Sequence, residues 1–113
     1  VAQQWLNFLR GLPAKLSTEQ MGRLDREYKF TASRNSEILC AWLTHVIANN
    51  YQPAQGALEE FLGRVGRQKF LKPLYQEMAK TPAGKTRAKA LFAKNKANYH
   101  PIAVGAIAHV LGE

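Results

Sequence analysis

The sequence contains a single cysteine, no long apolar run and no signal-peptide layout at its N-terminus. Because Cys40 stands alone, no disulfide framework and no thiolate zinc cluster can form within the chain. Cys40 lies in the apolar stretch 38–42, which predicts a buried structural thiol. No segment approaches the roughly eighteen consecutive apolar residues of a membrane-spanning helix, so the sequence excludes a transmembrane span.

Acidic residues are scarce in the second half of the chain. The formal net charge is +8, yet residues 1–63 carry six basic and six acidic side chains, which cancel. Residues 64–113 carry ten basic side chains against two acidic ones, Glu77 and Glu113. This asymmetry predicts an anionic partner, substrate or neighbouring domain facing that half, with a solvated basic face as the alternative.

Motifs for catalysis or metal binding are missing as well. The histidines His45, His100 and His109 show no metal-ligand spacing such as H-E-x-x-H, so we expect none of them to bind a metal. The triplet at 84–86, Gly-Lys-Thr, imitates the end of a phosphate-binding loop, but the first glycine of that motif would fall at Ala79. No serine lies in a nucleophile elbow. We therefore predict no catalytic residue and no cofactor in this chain.

What the sequence has in abundance is apolar residues at helical spacing, beginning with Trp5, Phe8, Leu9 and Leu12. No stretch alternates with period two, so no strand is predicted. The signals that set the helix boundaries are, in chain order, Pro13 after the first helix, the Ser17 and Gln20 capping box before the second, Ser33 or Asn35 before the third, Pro53 before the fourth, Gly66 in left-handed backbone after it, Thr81-Pro82 before the sixth and His100-Pro101 before the last.

These elements predict an all-α protein of about seven helices in a single domain, residues 1–113. The short connections favour an α-α superhelix, a two-layer array of helix pairs of the armadillo or HEAT kind. The third helix, apolar around most of its girth and running to about Asn49, is expected to be the central one.

One segment, residues 66–75, places two cations two residues apart after the predicted helix-ending glycine. Pro73 disfavours helix at Lys72 just before it. If Arg67 and Lys69 lie in the turn between two helices, they can converge as a two-pronged clamp for an anion. The alternative is that both cations are solvated or paired with neighbouring carboxylates.

This segment, together with Tyr99-His100-Pro101-Ile102 and residues 30–38, resembles the C-terminal domain of leukotriene A-4 hydrolase and related bacterial zinc aminopeptidases. The resemblance covers essentially the whole chain. It implies an array of helix pairs that follows a catalytic domain bearing an H-E-x-x-H zinc site. It also implies that Arg67 matches the arginine that binds the free α-carboxylate of a peptide or of a fatty-acid epoxide, and that Lys69 matches the lysine nearby.

The resemblance further implies that the chain, which begins without Met, is a C-terminal fragment of a larger metallopeptidase and is not catalytic alone. We expect it to pack against the parent's catalytic domain, to close one side of the active-site cleft and to bind the substrate carboxylate through Arg67 and Lys69. The zinc would belong to the catalytic domain. Aminopeptidase is the safer inherited activity, since epoxide hydrolysis is specialised within the family.

A second hypothesis is a basic helical-repeat module that binds nucleic acid through Lys80 to Lys96, or that docks on a protein partner. Single-strand binding uses aromatic platforms beside the cations, whereas Phe92 falls on the predicted apolar seam and Tyr99 stands at its end. Nucleic acid is therefore the less favoured partner, and no membrane is expected. We expect a cytoplasmic protein, with a periplasmic or secreted parent as open alternatives.

Overall fold

The chain is all helical in its computed structural model, which describes residues 2–112. Val1 and Glu113, the ends of the predicted domain, lie outside the described residues. The described range contains seven α-helices, three short 3-10 segments and no strand. Its helices are α1 Ala2–Arg10, α2 Thr18–Tyr28, α3 Ser36–Asn49, α4 Gln55–Arg64, α5 Gln68–Met78, α6 Pro82–Asn95 and α7 Pro101–Leu111, with 3-10 segments at Phe30–Ala32, Gln52–Ala54 and Lys96–Asn98. The predicted all-α array of about seven helices is confirmed.

The chain divides into two compact units, one up to Ala57 and one from Leu58 onward. Each unit has its own set of buried apolar side chains. The assignment of residues 1–113 to a single domain stays a prediction. No helix within residues 2–112 combines the length and the apolar character needed to cross a membrane.

In the first unit α3 supplies more of the core than any other helix, including Trp42, which is fully buried. The indole N–H of Trp42 donates to the hydroxyl of Thr31 at 2.9 Å. Thr31 in turn donates to Asp25 through its hydroxyl at 2.8 Å and its backbone N–H at 3.0 Å. The buried polar atom of the largest core side chain is thus satisfied, which avoids the cost of an unpaired donor in an apolar interior.

The predicted starts of α2, α3 and α6 are confirmed, whereas Pro53 lies in the 3-10 segment Gln52–Ala54 and α4 begins at Gln55. Ser17 and Gln20 form a reciprocal capping box, with bonds of 3.0 Å to the Ser17 hydroxyl and 2.8 Å to the Gln20 side chain. Of the two candidates for α3, Asn35 is the cap, because its Oδ1 accepts from the N–H groups of Glu37 and Ile38 at 2.9 and 3.1 Å. These bonds satisfy donors that a helix start leaves unpaired.

The predicted apolar face of the first helix is wrong in part. The buried residues of α1 are Leu6 and Leu9, whereas Trp5 and Phe8 remain 37% and 40% exposed. Leu12 lies beyond the end of α1. The two aromatic rings pack on the exposed Tyr28 at centroid distances of 5.0 and 6.0 Å. They also contact the buried Phe30 at 5.8 and 6.4 Å, so they cover the edge of the core instead of filling it.

The predicted buried thiol is confirmed, since Cys40 is only 8% exposed. Burial raises the pKa of the Cys40 thiol to about 11, with Arg10 acting weakly in the opposite direction. A thiol of this kind is protonated at neutral pH and is therefore a poor nucleophile. Nearby, His45 Nε2 lies 2.6 Å from the backbone oxygen of Leu9, a contact that ties α3 to α1.

The Asn35 cap gives a stability prediction. Asn35→Ala should lower the free energy of unfolding by about 1 kcal/mol, because the N–H groups of Glu37 and Ile38 lose their acceptor. Urea denaturation measures this change. Arg34→Ala, at the exposed preceding residue, is the matched control and should stay within about 0.5 kcal/mol of the wild type. Equal destabilisation by both substitutions would contradict the capping role.

Candidate functional site

The second unit is organised around α5, which packs along α7 and also contacts α6. The inner face of α5 presents Leu71, Leu74, Tyr75 and Met78, all buried as their spacing predicts. The opposite face of α5 and its N-terminal end are left for the polar residues of the segment 66–75. The candidate site lies there.

A short connection, residues 65–67, leads from α4 into α5. The carbonyl of Gly66 accepts a hydrogen bond from the N–H of His100 at 3.2 Å. A Cβ atom at Gly66 would lie 3.2 Å from the backbone oxygen of Asn98, which is tighter than ordinary contact. The predicted left-handed helix end is wrong here, because Gly112 has the only positive φ among the described glycines. Glycine is required at 66 by the close approach of another backbone segment.

Arg67 is the residue that immediately precedes α5. Its backbone is extended, with φ −90° and ψ 133°, and its carbonyl accepts from the N–H groups of Phe70 and Leu71 at 3.1 Å each. Its side chain is exposed and makes no capping bond. It forms no ion pair within residues 58–112, so the guanidinium is not locked in an internal salt bridge.

Lys69 corrects the prediction that both cations lie in the turn. It is the second residue of α5, and its ammonium lies 5.0 Å from the centre of the Phe70 ring. Lys72 is helical too, although Pro73 follows it. Helix persists across Pro73 because the buried inner face of α5 outweighs the local preference. The two predicted cations therefore share the N-terminal end of one helix, one just outside it and one in its first turn.

No acidic residue within 58–112 is paired with Arg67. The three acidic residues within 58–112 are each engaged elsewhere: Glu59 with Arg87 at 3.1 Å, Glu60 with Arg64 at 2.8 Å and Glu77 with Lys80 at 3.0 Å. The first turn of α5 contains no acidic residue. Because a helix N-terminus carries the positive end of the helix dipole, an anion bound there would be stabilised both by the cations and by the dipole.

A shallow groove of about 430 Å³ follows the outer face of α5 from this end. Its lining residues are Gln68, Lys69, Lys72, Pro73 and Gln76. The sequence interpretation identified Lys69 and missed the others. The signal that could have found them is the spacing of Gln68, Lys72 and Gln76 at i, i+4 and i+8, which places three polar side chains on one helix face.

A buried hydrogen-bonded network supports the connection that carries Arg67. The Tyr99 hydroxyl donates to the backbone carbonyl of Leu62 in α4 at 2.7 Å. It also lies 2.9 Å from the hydroxyl of Tyr75 in α5, and it bonds to the side chain of the buried Asn95. Burial raises the pKa of both tyrosines above its ordinary value, so both hydroxyls stay protonated and able to donate at neutral pH.

His100-Pro101, which directly follows Tyr99, opens α7 as predicted. His100 Nδ1 accepts from the N–H of Ile102 at 3.3 Å, and Pro101 occupies the first helical position. Since the N–H of His100 also bonds to Gly66, the same residue joins the start of α7 to the connection before α5. Within residues 2–112 no group of three His, Cys, Asp or Glu side chains is arranged to hold a metal ion.

The fold and the site describe a helical chain with a cationic surface at the start of α5. Comparison with known proteins agrees with the resemblance stated above: residues 1–111 match the family described as leukotriene A4 hydrolase, C-terminal. The chain belongs to this family.

Among curated proteins, the chain is 34% identical over 102 residues to Leucine aminopeptidase 2 of Phaeosphaeria nodorum, an alignment that covers 87% of this chain and 15% of that protein. It is 35% identical over 105 residues to Leucine aminopeptidase 2 of Emericella nidulans, an alignment that covers 93% of this chain and 16% of that protein. The chain thus spans about 15% of the length of these relatives.

The Tyr99 network gives a second stability prediction. Tyr99→Phe should lower the free energy of unfolding by about 1–3 kcal/mol, because the Leu62 carbonyl and the Tyr75 hydroxyl lose a buried partner. Chemical denaturation measures the change. Tyr28→Phe is the control, since Tyr28 is 43% exposed, and it should behave as the wild type. Identical stabilities for Tyr99→Phe and the wild type would contradict the role of the hydroxyl.

The contact at Gly66 gives a third prediction, with a control of opposite sign. Gly66→Ala should destabilise by about 1–3 kcal/mol, because the added methyl group presses on the Asn98 carbonyl. Gly105→Ala, in α7, should stabilise by about 0.5–1 kcal/mol, since its Cβ would meet nothing within 4 Å and alanine favours helix. Thermal unfolding of both variants checks the pair. A stabilising Gly66→Ala would refute the close approach.

Proposed function

We propose that this chain is the helical accessory domain of an aminopeptidase, that it closes one side of the active-site cleft, and that Arg67, aided by Lys69, binds the C-terminal carboxylate of a peptide substrate. Family membership and the likeness to proteins named leucine aminopeptidase support the enzyme class. The observation that carries the binding role is the exposed Arg67 side chain, without an ion pair in residues 58–112, at the positive end of α5.

The chemistry of the two cations fits a carboxylate. A guanidinium presents parallel N–H donors that match the two carboxylate oxygens, and the ammonium of Lys69 adds a compact second charge. A charge-assisted bond of this kind contributes about 1.5–3 kcal/mol, or about ten- to a hundredfold in affinity. Binding at the carboxylate end would fix the register of the peptide, so that its amino end reaches the reacting centre in a defined position.

The reaction itself belongs, in this proposal, to a catalytic domain that carries zinc. The contribution of this chain, in the same proposal, is to bind and orient the peptide. When bound, zinc of this type polarises the peptide carbonyl and activates a water molecule. A cytoplasmic location remains part of the proposal.

The nucleic-acid alternative receives no support from the basic helix α6. The rings beside its cations, Phe92 and Tyr99, are 3% and 6% exposed and are not available to stack on bases. One of its cations, Arg87, is paired with Glu59 at 3.1 Å. We therefore retain peptide binding as the proposed function.

The proposal is tested in the full-length protein with tripeptides that end in a free carboxylate and with their C-terminal amides. Arg67→Ala should weaken binding of the free acids about ten- to a hundredfold, because the charge-assisted bond is lost, and should leave the amides nearly unchanged. Binding is measured by calorimetry and turnover by initial rates. Lys94→Ala removes an exposed charge on α6 and serves as the control. Equal losses on acids and amides would refute the assignment.

A further inference from the structure

The connection before α5 is held by the segment that joins α6 to α7. The Tyr99 hydroxyl donates to the Leu62 carbonyl at 2.7 Å, and the N–H of His100 donates to the Gly66 carbonyl at 3.2 Å. These two neighbours in the sequence therefore bind the last turns of α4 and the residue that directly precedes Arg67. The start of α7 and the start of α5 are fixed to each other through this contact.

Gly66 is the point at which the two backbone segments come closest. A Cβ atom at Gly66 would lie 3.2 Å from the backbone oxygen of Asn98 and 3.8 Å from two further backbone atoms of the same segment. On its other side, Arg67 is held because its own carbonyl accepts from two N–H groups of α5. Since a planar peptide bond joins Gly66 to Arg67, a displacement of the glycine is passed on to the arginine.

We propose that Gly66 and Tyr99 are positioning residues for Arg67, which set the direction from which its guanidinium meets the carboxylate of the peptide. The inference rests on the proposed function, because both residues act through the binding of that carboxylate. A guanidinium and a carboxylate form two parallel hydrogen bonds, so their contact depends on orientation as well as on charge. Supporting residues must hold such a group within about 0.5 Å of its productive position. The backbone contact at Gly66 provides this support.

The test uses the full-length protein and uncleavable tripeptides, whose first peptide bond is reduced to a methyleneamine, with a free or an amidated C-terminus. Calorimetry gives the ratio of the affinities for the free acid and the amide. Gly66→Ala should lower this ratio about three- to tenfold, because the guanidinium is displaced, and should leave the amide affinity unchanged. Tyr99→Phe should lower it about twofold, since its hydroxyl acts from further away, through Leu62.

Two control variants separate positioning from a general loss of stability. Gly105→Ala makes the same chemical change in the same unit, where the added methyl group meets nothing within 4 Å. Asn35→Ala removes a helix cap in the first unit and should lower stability without touching the connection before α5. Both controls should keep the wild-type ratio, and a ratio lowered equally in Asn35→Ala would overturn the positioning role.

A double-mutant cycle shows whether Gly66 acts through Arg67. In the Arg67→Ala background, Gly66→Ala should cause no further loss of affinity for the free acid, because the group that it positions is absent. Losses that add, an unchanged ratio in Gly66→Ala, or equal weakening of acids and amides would overturn the inference. If Gly66→Ala does not fold, an unchanged ratio in Tyr99→Phe overturns it. Failure of the proposed function is recognised separately, as an unchanged ratio in Arg67→Ala alone.

Discussion

The hydrogen bond from the buried Tyr99 hydroxyl to the Leu62 carbonyl, 2.7 Å long, is the contact on which the geometry of the candidate site depends. It fastens the last turns of α4 from inside, and the N–H of His100 holds Gly66 two residues after that helix ends. The short connection is thus fixed at two points before it reaches Arg67. Because the backbone of Arg67 is held in advance, the binding proposed for its side chain would cost less conformational entropy.

Electrostatics adds to this geometry at Arg67, which no acidic residue within 58–112 pairs with. Within residues 58–112, the acidic residues Glu59, Glu60 and Glu77 are all engaged with cations other than Arg67 and Lys72. Cations at a helix N-terminus oppose the dipole and cost stability. A sequence that places two of them there, with no acid in the first turn, departs from what helix stability alone favours. This departure is one ground for placing the proposed site at the start of α5.

How much could be predicted from the sequence varies with how local the cause is. The caps at Ser17, Asn35 and Thr81 were predictable, since each bond spans two or three residues. The helical state of Lys72 was not, because it depends on the burial of the opposite face of α5. The role of Gly66 also escaped the sequence, because it arises from a carbonyl more than thirty residues away. Tertiary contacts decided both cases.

The family likeness and the proposed function rest on different kinds of residue. Three segments carry the likeness: residues 30–38, 66–75 and 99–102. Residues 30–38 supply the Thr31 bond to Trp42 and the Asn35 cap, both internal to the first unit. The segment 99–102 positions the connection before α5 from inside the unit, since Tyr99 is buried and bonds to the Leu62 carbonyl. The segment 66–75 presents the exposed charged side chains of Arg67 and Lys69, which the proposed function assigns to substrate binding. Residues 30–38 and 99–102 therefore act through internal contacts, and the proposed binding role rests on the exposed residues at the start of α5.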